Sequence, residues 1–187
     1  MSGGERRGLP KVVGDAAVVA GGPPLVGATP PMGFSTWNVF GGDIDEEKVL
    51  GVMDVMEKLR PFGYEYVNID DGWQADQRAP NGSLLANPVK FPHGIQFLCS
   101  EAHRRNLKFG IYSARGNRTC QNHPGSAGYY ETDARTWALW GVDYIKLDSC
   151  GGSGSWKSLG VYEDYRMMSD AIKVFSPIQP MYFSICP

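Results

Sequence analysis

A chain of 187 residues that is 42% hydrophobic and 12% aromatic carries enough apolar material for a folded core, which excludes an intrinsically disordered tail. Eighteen basic residues against twenty acidic ones leave a net charge of −2, so there is no electrostatic footprint for nucleic acid or an anionic membrane, and an uncharged partner is expected. No run approaches the roughly 18 apolar residues of a membrane span, and the most apolar N-terminal stretch, residues 12–20, is broken by Gly14 and Asp15, so no clear signal peptide is present.

Residues 1–29 are rich in Gly, Pro, Ala and Val without a helical or strand period, and read as a flexible leader before a single domain over 30–187. The domain opens with a short strand at 33–37. A helix at 45–60 follows, with Val49, Leu50, Val52, Met53, Met56 and Leu59 on one stripe, stopped by Pro61 and Gly63. Residues 66–69 form a second, buried-type strand. A long loop through Pro80, Asn81, Gly82 and Pro92 leads to a helix at 93–105 that turns Ile95, Leu98, Cys99 and Ala102 inward, with Asn106 as its left-handed cap. The third strand runs 107–112, the next helix 130–140 with Gly141 as cap, and the fourth strand 142–147. A helix at 160–175, bounded by Pro177 and Pro180, precedes a fifth apolar strand at 181–185.

Strand and helix alternate at about 35 to 40 residues per unit, the rhythm of βα repeats around a parallel sheet. A doubly wound nucleotide-binding sheet would carry a glycine-rich turn after its first strand, and Gly41-Gly42 offers no such fingerprint. The expected fold is therefore α/β, a partial (β/α)8 TIM barrel of five strands and four helices, since a whole barrel takes about 250 residues. An unclosed sheet of this kind is expected to expose strand edges and an apolar inner face.

Chemistry in parallel barrels is done at the C-terminal ends of strands. The second strand runs into Asp70-Asp71-Gly72-Trp73, the third ends at Tyr112, and the fourth ends Lys146-Leu147-Asp148. Period-two alternation puts Tyr144, Lys146 and Asp148 on one face, where the lysine would hold Asp148 ionised as a nucleophile requires; the other reading is an ion pair with no catalytic task. Asp70 and Asp71 are hard oxygen donors for a divalent cation, or acceptors for sugar hydroxyls; no His or third carboxylate lies nearby in sequence, and no metal or cofactor is assigned. Trp37 and Trp73 follow strand ends and suit either a pyranose face or plain packing. His103, beside Arg104 and Arg105, reads as a solvated helix end, and His123 has no better claim. The four cysteines allow up to two disulfides, and sequons stand at Asn81 and Asn117.

Five segments then resemble, in order, the melibiases of glycoside hydrolase family 27, which are α-galactosidases and α-N-acetylgalactosaminidases: Thr29 to Asn38, Tyr64 to Trp73, Leu107 to Ser113, Pro124 to Ser126 and Trp140 to Asp148. The resemblance implies a retaining hydrolase acting on α-galactosides, with Asp148 as nucleophile, Asp70 and Asp71 holding galactose hydroxyls, and Trp37, Tyr112 and Lys146 lining the same pocket. It also implies a Cys120–Cys150 disulfide and a secreted, lysosomal or vacuolar compartment; Cys99 and Cys186 follow apolar runs and read as buried free thiols. Such a bridge over about 30 residues would contribute roughly 3 to 4 kcal/mol. Ala114-Arg115 departs from the family, which often has an Asp after the Tyr-Ser of the third strand, and Pro187 stands where a Glu or Ser helps choose between the two sugars. The second catalytic carboxyl, an Asp in the family, follows a later strand. The resemblance thus implies a missing C-terminal half or a homo-oligomer, or else an inactive, at most sugar-binding, half-barrel.

Overall fold

The computed structural model describes residues 26–151 and 159–187. Most of the expected leader, residues 1–25, lies outside the described residues, while 26–29 form exposed turns. Five strands, β1 (Gly33–Ser35), β2 (Tyr66–Asn68), β3 (Lys108–Ala114), β4 (Tyr144–Asp148) and β5 (Tyr182–Cys186), make one sheet in the order β1-β2-β3-β4-β5, every neighbouring pair parallel. The helices are α1 (Trp37–Phe40), α2 (Glu46–Leu59), α3 (Gly94–Arg104), α4 (Tyr130–Trp140) and α5 (Val161–Phe175). The sheet curls into a half-barrel with the helices outside.

The first strand is shorter than its sequence suggests. Thr36 already has helical dihedrals, its side-chain oxygen accepts the Asp70 N–H at 2.9 Å, and its carbonyl accepts the Phe40 N–H at 2.9 Å. Trp37 therefore opens the one-turn helix α1 instead of closing β1, and five α-helices stand among the described residues where four were expected. The third strand runs two residues beyond Tyr112 because Ser113 and Ala114 pair with Leu147 and Asp148. The chain breaks fall where the residues dictate. Asp45 caps α2 by accepting the Lys48 N–H at 2.8 Å, which stabilises it by about 1 kcal/mol. Asn106 and Gly141 close α3 and α4 at φ of 56° and 85°.

Burial along β4 alternates, with Ile145 and Leu147 sealed and Tyr144, Lys146 and Asp148 half-buried. Val67, Ile69, Phe109 and Ile111 continue the sealed side, packing with Val49, Met53 and Met56 of α2, Ile95 and Leu98 of α3, Trp137 of α4 and Met168 and Ile172 of α5. Each such side chain stabilises the fold by roughly 1.5 to 3 kcal/mol. The core is thus a single layer between sheet and helices.

The other side of the sheet corrects an expectation. It is not apolar: Tyr66, Asn68, Lys108, Tyr144, Lys146, Tyr182 and Ser184 occupy it, because strand alternation sends the branched residues to the helices. The Tyr144 and Tyr182 rings stack at 5.4 Å, Tyr66 meets Tyr144 edge-on at 6.0 Å, and Lys108 Nζ lies 5.0 Å from the Tyr66 ring. Among the described residues β1 and β5 are the unpaired edge strands, with Ile185 half exposed. Exposed apolar surface collects instead at the flank of β1 and α2, around Val39, Val55 and Leu59. No helix among the described residues is long and apolar enough to cross a membrane.

Candidate active site at the strand ends

The end of β2 is built by short-range hydrogen bonding. Thr36 fixes the Asp70 amide, Asp70 Oδ1 accepts the Asp71 N–H at 2.9 Å, and Asp71 Oδ1 accepts the Gly72 N–H at 2.9 Å. Gly72 is required there, since its φ is 101° and a Cβ would lie 2.8 Å from the Gly42 carbonyl oxygen. This sharp turn sends the two carboxylates apart. Asp70 Oδ2 meets the Lys146 ammonium at 2.8 Å, whereas Asp71 Oδ2 accepts the Gln121 N–H at 2.8 Å from the loop after β3. Burial pushes the Asp71 carboxyl up, and its hydrogen bonds to Gln121, Thr119 and Gly72 only partly offset this.

Two strands away, Lys146 also stands 3.7 Å from Asp148 Oδ2, while Asp148 Oδ1 accepts the Ser149 N–H at 2.6 Å. The ammonium thus bridges carboxylates from β2 and β4 and leans toward Asp70. Burial alone would lower the Lys146 pKa; the hydrogen bond to Asp70 and the charges of Asp70 and Asp148 outweigh it, so the pKa rises and the side chain stays cationic. Side-chain exposure is 7% for Asp70, 27% for Lys146 and 17% for Asp148, so Asp148 keeps a partly open oxygen on the inner face.

Tyr112 closes the floor of this cluster. Its ring lies 5.1 Å from Lys146 Nζ and its hydroxyl donates to Cys120 Sγ at 3.2 Å. Burial first, and then the negative charges of Asp71 and Asp148, raise its pKa and keep the phenol neutral. Cys120 and Cys150 are bonded, with Cα atoms 5.1 Å apart across 30 residues, tying the loops after β3 and β4 together beside Asp148. Asp148 and these two sulfurs lie within 4.8 Å of one another, yet bridged sulfurs offer no thiolate to a metal. The diverging oxygens of Asp70 and Asp71 do not form a shared cage either.

Asp70, Lys146, Asp148, Tyr112 and the disulfide are therefore brought together, with Asp71 turned toward the neighbouring loop. Trp37 sits at the end of β1, 39% exposed, on the same rim of the sheet. Trp73 is fully buried, donates its indole N–H to the Tyr112 carbonyl at 2.8 Å and packs edge-on against Trp140, so its face is not open to a ligand. His103 is not a merely solvated residue: its Nε2 lies 2.8 Å from Asp143 Oδ2 at the opposite end of the strands. His123 Nδ1 is 3.9 Å from Asp76. Cys99 is buried as expected, but Cys186 is only half-buried, since it ends the open edge strand opposite Asp148.

Two buried ion pairs escaped the sequence reading. Arg78 grips Asp133 through two hydrogen bonds of 2.6 and 2.7 Å, and Arg115 meets Asp164 at 2.8 Å and Ser149 Oγ at 2.9 Å. Asp133 and Asp164 stand in the first turns of α4 and α5, where acids suit the helix dipole and look solvated. The one local signal is Arg115 itself, a charged residue directly after an otherwise sealed strand.

Known proteins of one family resemble the chain over most of its length. A melibiase family model described as alpha galactosidase A matches residues 29–184. The chain is 42% identical over 164 residues to an alpha-galactosidase of Lachancea cidri, covering 86% of this chain and 34% of that protein. It is 43% identical to an alpha-galactosidase of Cyamopsis tetragonoloba, covering 86% and 38%. The crystal structure of alpha-galactosidase I from Mortierella vinacea superposes with a TM-score of 0.79 at 40% identity, over 87% of this chain and 42% of that one. The chain thus spans between a third and two fifths of the length of these curated relatives.

Proposed function

The chain belongs to the melibiase family of α-galactosidases, and on that premise we propose that it carries the nucleophile half of a retaining α-galactosidase site, with Asp148 as the attacking group. The single observation that supports this reading is the Lys146 ammonium held between Asp70 at 2.8 Å and Asp148 at 3.7 Å on the inner face of the sheet. A carboxylate nucleophile must stay ionised, and a neighbouring fixed cation favours that form. An Asp148 oxygen attacks the anomeric carbon, the glycosidic oxygen leaves with the bonding pair, and a galactosyl ester forms that water later cleaves. Asp70 accepts hydrogen bonds from vicinal sugar hydroxyls, Asp71 holds the loop after β3 through the Gln121 N–H, and Trp37 and Tyr112 bound the sugar.

The substrate class is terminal α-linked galactose on oligosaccharides or glycoconjugates, read from the names of the relatives. The proton donor of such a reaction stands about 5 to 5.5 Å from the nucleophile. We assign it outside the matched span, because Asp70 is committed to Lys146 and Asp71 to two backbone N–H groups.

The test avoids the need for that donor. 5-Fluoro-α-D-galactopyranosyl fluoride loses fluoride without protonation, so Asp148 displaces it directly and a fluorogalactosyl ester remains. Mass spectrometry of the treated chain is expected to show one added fluorogalactosyl unit on the peptide containing Asp148. An unmodified chain, or a label on another residue, overturns the assignment.

A further inference from the structure

The carboxylate of Asp148 is aimed by its neighbours, and the residues that aim it extend past the site described above. Arg115 follows β3 directly. Its N–H donates to the Asp148 carbonyl at 2.8 Å and its own carbonyl accepts the Tyr130 hydroxyl at 2.6 Å, so its backbone is pinned on both sides. Its guanidinium, nearly sealed from solvent, donates to Ser149 Oγ at 2.9 Å and to Asp164 Oδ2 at 2.8 Å. Asp164 is fully buried at the start of α5, and its other oxygen accepts the Leu159 N–H at 3.1 Å. Ser149, held by the guanidinium, gives its N–H to Asp148 Oδ1 at 2.6 Å.

We infer that Arg115 is a positioning residue for Asp148: anchored by Asp164, it holds Ser149 so that the Ser149 N–H fixes one carboxylate oxygen and leaves the other to the sugar. Its catalytic meaning rests on the nucleophile reading above. The physical case is one of rotamer control. A carboxylate at a strand end rotates about its side-chain bonds unless one oxygen is bound, and a misplacement of about 1 Å at a reacting group costs on the order of a hundredfold in rate. The Ser149 N–H supplies that bond only while the backbone at 149 faces Asp148. Nothing within β4 enforces this, since the strand ends at Asp148. Arg115 does so by a rigid planar fork whose far end is locked in a buried ion pair, a task a flexible lysine performs poorly. The same link joins the end of β4 to the first turn of α5.

The test reads the aim separately from the chemistry. In the unaltered chain and in Arg115→Met, Arg115→Lys and Ser149→Ala, amide hydrogen exchange is followed by NMR, and the rate of labelling by the galactosyl fluoride above is measured against its concentration. Exchange at position 149 is expected to quicken roughly tenfold in Arg115→Met and in Ser149→Ala, with Ile145 and Leu147 within about twofold of the unaltered chain. The maximal labelling rate falls roughly tenfold without a change in half-saturating concentration, and Arg115→Lys recovers part of both. Should Arg115→Met lose protection throughout β4, Ser149→Ala decides, since it keeps the buried pair. Unchanged protection at position 149 in a folded Arg115→Met, or in Ser149→Ala, overturns the inference. If protection responds as described but no variant and no unaltered chain is labelled, the positioning stands and the nucleophile assignment falls.

Discussion

The two ends of the half-barrel use the same residue type in opposite ways. At the N-terminal end of β4, Asp143 gives one oxygen to the Phe109 N–H and His103 Nε2, both at 2.8 Å, and the other to Gln179 Nε2 at 2.9 Å. Its backbone carbonyl takes the Tyr182 N–H at 2.7 Å, so one aspartate joins α3, β3 and β5. At the C-terminal end of the same strand, Asp148 has an N–H on one oxygen and an ammonium 3.7 Å from the other. A carboxylate with donors on both oxygens is cement; one with an engaged side and an open side is available for reaction.

Asp148→Asn is expected to break the contrast most visibly. Labelling by the galactosyl fluoride should fall at least about a thousandfold, with the melting temperature within about 2 °C, because no element depends on the open oxygen. Lys146→Met comes next. Loss of the fixed cation should slow labelling per folded molecule about a hundredfold and also lower stability by about 3 kcal/mol, because the nearly sealed Asp70 carboxylate loses its partner; a rate within about threefold of the unaltered chain would reduce the lysine to packing. Asp143→Ala reverses the pattern. It orphans three donors and should cost about 2 to 4 kcal/mol in urea unfolding, with labelling per folded molecule preserved.

The smallest effect is a pH dependence at the cementing end. The hydrogen bond to Asp143 raises the His103 pKa, against a burial that would lower it. A raised cationic pKa means that the ion pair contributes fully below the ordinary histidine value of about 6.5 and is lost as pH climbs through the higher folded-state value. Melting temperature should therefore decline slightly across that window, slightly because His103 is 41% exposed and screened. His103→Gln should flatten the decline, and an identical slope in that variant would assign it elsewhere.

How much of this was legible in the residue order depends on range. The fold was readable because βα alternation and the Asn106 and Gly141 caps are local. Lys146 and Asp148 shared a face by period two, and Asp70 followed an apolar strand. What could not be read was which partner each polar group takes. His103 finds Asp143 40 residues on, Arg115 finds Asp164 49 residues on, and Arg78 finds Asp133 55 residues on. Only the folded sheet sets those distances. The divergence of Asp70 and Asp71 was equally hidden, because it depends on the left-handed turn at Gly72. Likewise, Trp37 left its strand because Thr36 turned to hold a backbone amide from the next one.

The tyrosine-, lysine- and asparagine-bearing concave surface has a wider consequence. Since the stabilising contacts lie between sheet and helices, cohesion and chemistry occupy opposite sides of the same five strands. Substitutions facing the hollow, away from the Asp70–Lys146 pair, can therefore retune recognition with little penalty in folding.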